Sequence, residues 1–132
     1  MAVGTTGPFT AAELAYITAE RRLARVATVG ADGMPHVTPL GMWSFNPETN
    51  TIDIQGHDFA STKKFRDVLQ TGRATIVIDD VLPPWQPRGI EIRGEAEAIV
   101  GPPALIRIQP RRIVSWGIDN AGFGGRNARN VR

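Results

Sequence analysis

The chain has 132 residues, of which 42% are hydrophobic and 21% charged, with 15 Lys and Arg against 13 Asp and Glu. This is the length of one domain over residues 1–132, enough to bury a core but too short for separate cofactor and substrate domains. Cysteine is absent, which excludes disulfides, thiolate catalysis, iron–sulfur ligation and cysteine zinc sites, and suits a reducing, cytoplasmic compartment.

In chain order, Thr10-Ala-Ala-Glu13 has the form of a capping box, so a helix is predicted over 10–22. Leu23–Val29 is β-branched and runs into Gly30-Ala-Asp-Gly33, a turn followed by a second strand over 35–45. Asn46–Asn50 forms another turn cluster, and Thr51–Gln55 alternates as a short strand. Phe65, Val68 and Leu69 then recur at helical spacing behind a Ser61 or Thr62 cap, until Gly72 ends the segment. Arg73–Val81 is a buried strand by composition. Leu82–Gly89 carries three prolines and is expected to be a rigid loop. Ile90–Val100 alternates apolar residues with charges, and a further strand lies within 106–118. The segment from about 119 to 132, rich in Gly, Asn and Arg, is expected to be flexible. Two helices and about six strands predict a mainly β fold, an antiparallel barrel or sandwich with short covering helices.

Catalytic side chains are scarce. His36 and His57 are the two histidines, and neither stands in a metal-ligand spacing or beside a nucleophilic serine motif. Asp79 and Asp80 lack a third spaced oxygen ligand, so no metal site is expected and the pair reads as a solvated strand end. The segment Gln55-Gly56 through Ser61, Thr62, Lys63, Lys64 and Arg66 holds two readings: a capped helix with solvated lysines, or a phosphate seat in which free N–H groups and fixed charge attract an anion. Trp43, Trp85 and Trp116 lie near segment ends as core or interface filler, with Trp85 on the proline-rich loop placed to lid a pocket or enter a second subunit. No apolar run approaches the roughly 20 residues of a membrane span, and the N-terminus lacks a basic, then apolar leader. A net charge of +2 suits an anionic partner. A nucleic-acid-binding barrel is a minor alternative, opposed by the lack of aromatics interleaved with Lys and Arg along one strand face.

Taken together, Leu23-Ala-Arg-Val-Ala-Thr-Val29, Asp32-Gly-Met-Pro-His-Val-Thr-Pro-Leu40, Ser61-Thr-Lys-Lys-Phe-Arg-Asp67 and Gly72-Arg-Ala-Thr-Ile-Val-Ile78 resemble the pyridoxamine 5′-phosphate oxidase-like flavin and deazaflavin oxidoreductases. Arg111-Arg-Ile-Val-Ser-Trp-Gly-Ile-Asp119 looks like the actinobacterial branch that uses the deazaflavin coenzyme F420, some members of which act in tetracycline-type biosynthesis. The resemblance implies a split β-barrel homodimer with two cofactor grooves at its interface, acting on a small molecule. It implies that the strand bearing His36, Val37, Thr38, Pro39 and Leu40 packs against the ring system. Gln55, Gly56, Ser61, Thr62, Lys63 and Lys64 would hold the phosphate side, and Trp85, Arg88 and Trp116 of the second subunit would close the groove. The further phosphate-binding residues of the flavin oxidases are missing, which favours F420 over FMN, the alternative cofactor. The expected activity is hydride transfer from reduced F420 to a conjugated or carbonyl-type acceptor, the chemistry belonging to the cofactor and no side chain acting as a catalytic group. The arginines of the tail would either meet the cofactor's acidic side chain or belong to a frayed terminus.

Overall fold

The computed structural model describes residues 7–119 and 125–131. The chain folds as helix α1 (Ala11–Ala19), strands β1 (Ala24–Val29), β2 (Pro35–Leu40), β3 (Trp43–Asn46) and β4 (Thr51–Ile54), helix α2 (Lys63–Thr71), and strands β5 (Arg73–Leu82), β6 (Gln86–Ile99), β7 (Leu105–Trp116) and β8 (Arg126–Asn130). The strands form one antiparallel sheet in the order β2-β1-β5-β6-β7-β4-β3, with β8 paired to β7. β7 has two partners on one flank: β4 at Ile106–Ile108 and β8 at Arg112–Trp116.

The capping box forms as its sequence predicts, with Glu13 N donating to Thr10 Oγ1 at 3.1 Å and Thr10 N to Glu13 Oε1 at 2.9 Å. The helix stops at Ala19, short of Arg22, because Arg22 turns back and its guanidinium donates to the Tyr16 carbonyl at 2.6 Å, satisfying an open end of the helix. For α2 the cap is Thr62, whose Oγ1 accepts from Phe65 N at 3.3 Å. Gly72 closes the helix at φ 68°, a conformation open to glycine.

The core is built from isoleucine pairs that meet across the ladders. Ile76 and Ile78 on β5 face Ile92 and Ile90 on β6, while Ile52 and Ile54 on β4 face Ile108 and Ile106 on β7, all fully buried. Opposing β-branched side chains at this spacing are the unit that stabilises a sheet. A bulge between Arg93 and Gly94 curls the β6–β7 ladder, and a Cβ at Gly94 would run into the Gln109 carbonyl.

Three expectations change. The run 35–45 is two strands, parted at Gly41 and Met42, where Gln55 N donates to the Met42 carbonyl at 2.8 Å. The proline-rich segment 82–89 is mostly ladder, pairing Leu82 with Gln86 and leaving Pro83–Trp85 as the turn. Pro87 is tolerated because β6 has β5 alone beside it there, β7 joining only from Gly89. The tail forms β8 over Arg126–Asn130, so flexibility does not hold for that stretch, while residues 120–124 and Arg132 lie outside the described residues. Arg129 anchors β8: its guanidinium donates to Glu13 at 2.6 and 2.9 Å and to the Pro8 carbonyl at 2.6 Å.

Candidate cofactor site

β2 is an edge strand, paired to β1 alone. Its register sets His36, Thr38 and Leu40 opposite Thr28, Val26 and Ala24, which are buried, so these three share the inner face and are half-buried. Pro35, Val37 and Pro39 face outward and are exposed, Val37 by 65%. The strand expected to act as one platform is therefore divided between two faces. Thr38 Oγ1 is the one buried side-chain polar atom without a hydrogen-bond partner among the described residues. Such an orphan is costly unless a group from outside the described residues, a water or a ligand, pairs with it.

The segment after β4 begins beside the link between β2 and β3, where the Gln55–Met42 bond extends the β3–β4 ladder by one step. Gly56 lets the Phe59 ring lie against the backbone, since a Cβ there would stand 2.9 Å from the ring edge. Phe59–Ser61 form a 3-10 turn that delivers Thr62 as the α2 cap, with Thr62 Oγ1 also donating to the Phe59 carbonyl at 2.7 Å. The first turn of α2 thus brings Ser61, Thr62, Lys63 and Lys64 together, and its open N–H groups and dipole favour an anion.

The cations there differ in their engagements. Lys63 Nζ donates to buried Asp67 at 2.9 and 3.2 Å, and Arg66 donates to the Ser61 carbonyl at 2.8 Å. Lys64 is half-buried with Nζ 5.9 Å from the Phe59 ring centroid, and has no hydrogen bond or ion pair among the described residues.

Trp85, Arg88 and Trp116 gather elsewhere, with β1 and β5 standing between them and β2. Trp85 is 69% exposed in the β5–β6 turn. Trp116 pairs with Gly89, where a Cβ would stand 2.9 Å from the indole ring. Arg88 is taken up by Asp80, donating at 2.7 and 3.0 Å, and Tyr16 Oη donates to the same carboxylate at 2.8 Å. The hydrogen bonds from Arg88, with help from Tyr16, bring the Asp80 carboxyl down to about 2. Burial and then the Asp80 bond push the Tyr16 phenol well above its ordinary value. Asp80 is therefore not a solvated strand end, and Asp79 carries Arg25 at 3.3 Å. Among the described residues no three His, Asp or Glu side chains group to hold a metal ion, and no helix is long and apolar enough to cross a membrane.

Sequence reasoning missed Asp67, Thr28 and Gly30, which meet behind the α2 start, and the buried Glu13–Arg129–Ser115 cluster. The i, i+4 spacing of Lys63 and Asp67 was the available signal for the first. Nothing local announces the second, whose partners are 102 and 116 residues apart.

A family model described as pyridoxamine 5′-phosphate oxidase matches residues 10–127. A relative from Streptomyces rimosus subsp. rimosus, a 5a,11a-dehydrotetracycline/5a,11a-dehydrooxytetracycline reductase, is 38% identical, the match covering 94% of each chain. Among solved structures, a heme binding protein from Mycobacterium smegmatis superposes at TM-score 0.67 with 16% identity over 92% of this chain and 58% of that one. An FMN-binding protein from Syntrophomonas wolfei superposes at 0.59 with 12% identity over 78% and 82%. The curled sheet with its two short helices is the split barrel.

Proposed function

The chain belongs to the pyridoxamine 5′-phosphate oxidase family, and from that premise we propose that it is a reductase that uses F420 to reduce a conjugated or carbonyl-type small molecule. The observation that carries this is the 38% identity, along nearly the whole chain, to a reductase whose substrate is a dehydrotetracycline. The site fits a flat ring system with a phosphate tail. An orphaned Thr38 hydroxyl faces inward on the edge strand, and a lysine without an ion pair stands at the first turn of α2.

When bound, reduced F420 supplies a hydride. The chain's own residues bind, orient and exclude water. The free edge of β2 and the Thr38 hydroxyl would offer hydrogen bonds to the ring, and Gln55 and Gly56 would lie between it and the start of α2. The phosphate would sit at the first turn of α2, which the Ser61–Thr62 turn sets in place and where the helix dipole and the open backbone N–H groups face it. No side chain is assigned as acid or base: the proton that completes the reduction would come from the ring N–H of the reduced cofactor or from solvent, and orientation is the protein's share in cofactor chemistry.

A homodimer completes this arrangement. Pro35, Val37 and Pro39 expose an apolar outer face on β2, and Val81, Leu82 and Trp85 expose another at the β5–β6 turn, exposures that a second copy would cover. Trp85 of the partner subunit would then close the groove that one chain leaves open. Arg88 supports that turn from within its own chain through Asp80.

Titration of the purified protein with oxidised F420 and with FMN, followed by fluorescence, tests the cofactor. F420 binding with turnover of a tetracyclic enone by reduced F420 is the expected result, and tight FMN binding without F420 binding overturns it. Sedimentation giving a monomer at micromolar concentration overturns the dimer.

A further inference from the structure

Asp67 lies on the face of α2 that meets β1, its side chain 5% exposed. Thr28 Oγ1 donates to Oδ2 at 2.8 Å, while Lys63 Nζ donates to Oδ1 at 2.9 Å and Oδ2 at 3.2 Å. Gly30 passes so close that a Cβ would stand 2.7 Å from Oδ1, so a larger residue there would displace the carboxylate. Two further bonds leave the same helix. Thr71 Oγ1 donates to the Val29 carbonyl at 2.8 Å, and Gln70 Oε1 accepts from Ala31 N at 3.2 Å. Asp67, Gln70 and Thr71 together fasten α2 to the end of β1 and its turn.

A buried carboxylate needs a counterion, and removing one partner of such a pair is far more damaging than never having made it. Burial raises the Asp67 pKa, yet the bonds from Lys63 and Thr28 reverse this and hold the carboxyl below its usual range. If Lys63 swung to a phosphate it would strand Asp67, exchanging one ion pair for another with little gain. Lys64 has no such obligation, since no ion pair or hydrogen bond holds it among the described residues.

Resting on the cofactor reading above, we propose that Asp67 is a positioning residue that takes Lys63 as its counterion and holds α2 against β1. Lys63 is thereby withdrawn from anion binding, and Lys64 alone of the two lysines meets the cofactor phosphate. This divides a pair that the family resemblance treats alike.

The test uses the full chain at neutral pH, with oxidised F420 and FMN as probes over a range of ionic strength. Lys64→Met weakens binding by about 10- to 150-fold and flattens the fall of affinity with salt, leaving the melting temperature unchanged. Lys63→Met lowers the melting temperature but keeps the salt dependence, with affinity within about threefold of the parent. Lys63→Arg restores the melting temperature. Asp67→Asn keeps the shape of the side chain and releases the Lys63 ammonium, so the salt dependence steepens, and adding Lys63→Met removes the steepening. A Lys63→Met protein whose salt dependence flattens as much as that of Lys64→Met overturns the proposal. A parent protein that binds neither probe overturns the cofactor reading and the role of Lys64 with it. That failure is recognisable because the melting shifts of Lys63→Met and Asp67→Asn stay non-additive, whereas additive shifts overturn the counterion assignment itself.

Discussion

The wall where α1 meets β7 and β8 and the candidate site at β2 and the start of α2 treat polar groups in opposite ways. In the wall, Glu13 is 1% exposed, and its carboxylate accepts from Arg129, Ser115 Oγ at 2.7 Å and the backbone of Thr10. Burial by itself would raise the Glu13 pKa, and these bonds reverse the effect and hold the carboxyl below its ordinary value. Asp53 is treated in the same way, with Arg107 donating at 3.0 and 3.1 Å and with Asn46 and Thr51 adding bonds. At the candidate site, Thr38 Oγ1 on β2 has no partner and Lys64 on α2 has no counterion among the described residues. Saturated polar clusters hold a fold together, and the unsaturated groups are where the proposed cofactor would find its partners.

The contrast breaks most visibly at Arg129. Arg129→Ala leaves Glu13 buried without its counterion and loosens β8, so stability falls by about 3–5 kcal/mol. A urea midpoint equal to that of the parent would show that the cluster is not holding the wall. The next effect appears only in acid. The Asp80 carboxyl sits at about 2 in the folded chain, below its ordinary 3.8. A depressed carboxylate contributes stability that is complete above the unfolded value and is lost as pH falls through the folded one. Melting temperature should therefore decline as pH drops from about 4 to about 2, and Asp80→Asn should flatten that stretch while lowering the neutral-pH value. A parallel acid limb in the variant would mean that Arg88, Arg22 and Tyr16 do not act through Asp80.

Smaller changes sharpen the comparison at the candidate site. Thr62→Ala removes the α2 cap at a cost of about 1 kcal/mol and weakens cofactor binding, because the first turn frays where the phosphate would sit. Calorimetry with and without cofactor separates these two losses. Thr38→Val has the smallest effect on the free protein and the opposite sign. Removing an unsatisfied hydroxyl leaves stability equal or raises it by up to about 1 kcal/mol, while affinity for the cofactor falls. A stability loss at Thr38 comparable to that at Thr62 would place a hidden partner on its hydroxyl.

Much of the architecture was written in short-range pattern. The Thr10–Glu13 box, the Thr62 cap, the Gly72 stop and the isoleucine alternation of β5 and β6 each depend on residues a few positions apart. What escaped depends on distance or on position in the sheet. Pro87 reads as a strand breaker until its place on a free flank of β6 is known. Gly125–Asn130 reads as unstructured because β8 lacks large apolar residues and is held by β7 and by Arg129 reaching Glu13. At the candidate site the cationic first turn of α2 was legible, but the division of its lysines was not, since it turns on Thr28 and Gly30 more than 30 positions earlier.

The two-sided pairing of β7 also sets a clock. β6 covers one flank of β7 along nearly its whole length, and β4 and β8 share the other. Its amides near Ile106, Ile108 and Ile113 can meet solvent deuterium only when the sheet as a whole opens, so they should exchange last and report the global free energy of unfolding. The amides of β2 that point away from β1 have no ladder to break and should exchange first. Cofactor binding should slow exchange along β2 strongly and along β7 only through the added global stability, which would map the proposed site amide by amide without altering a residue.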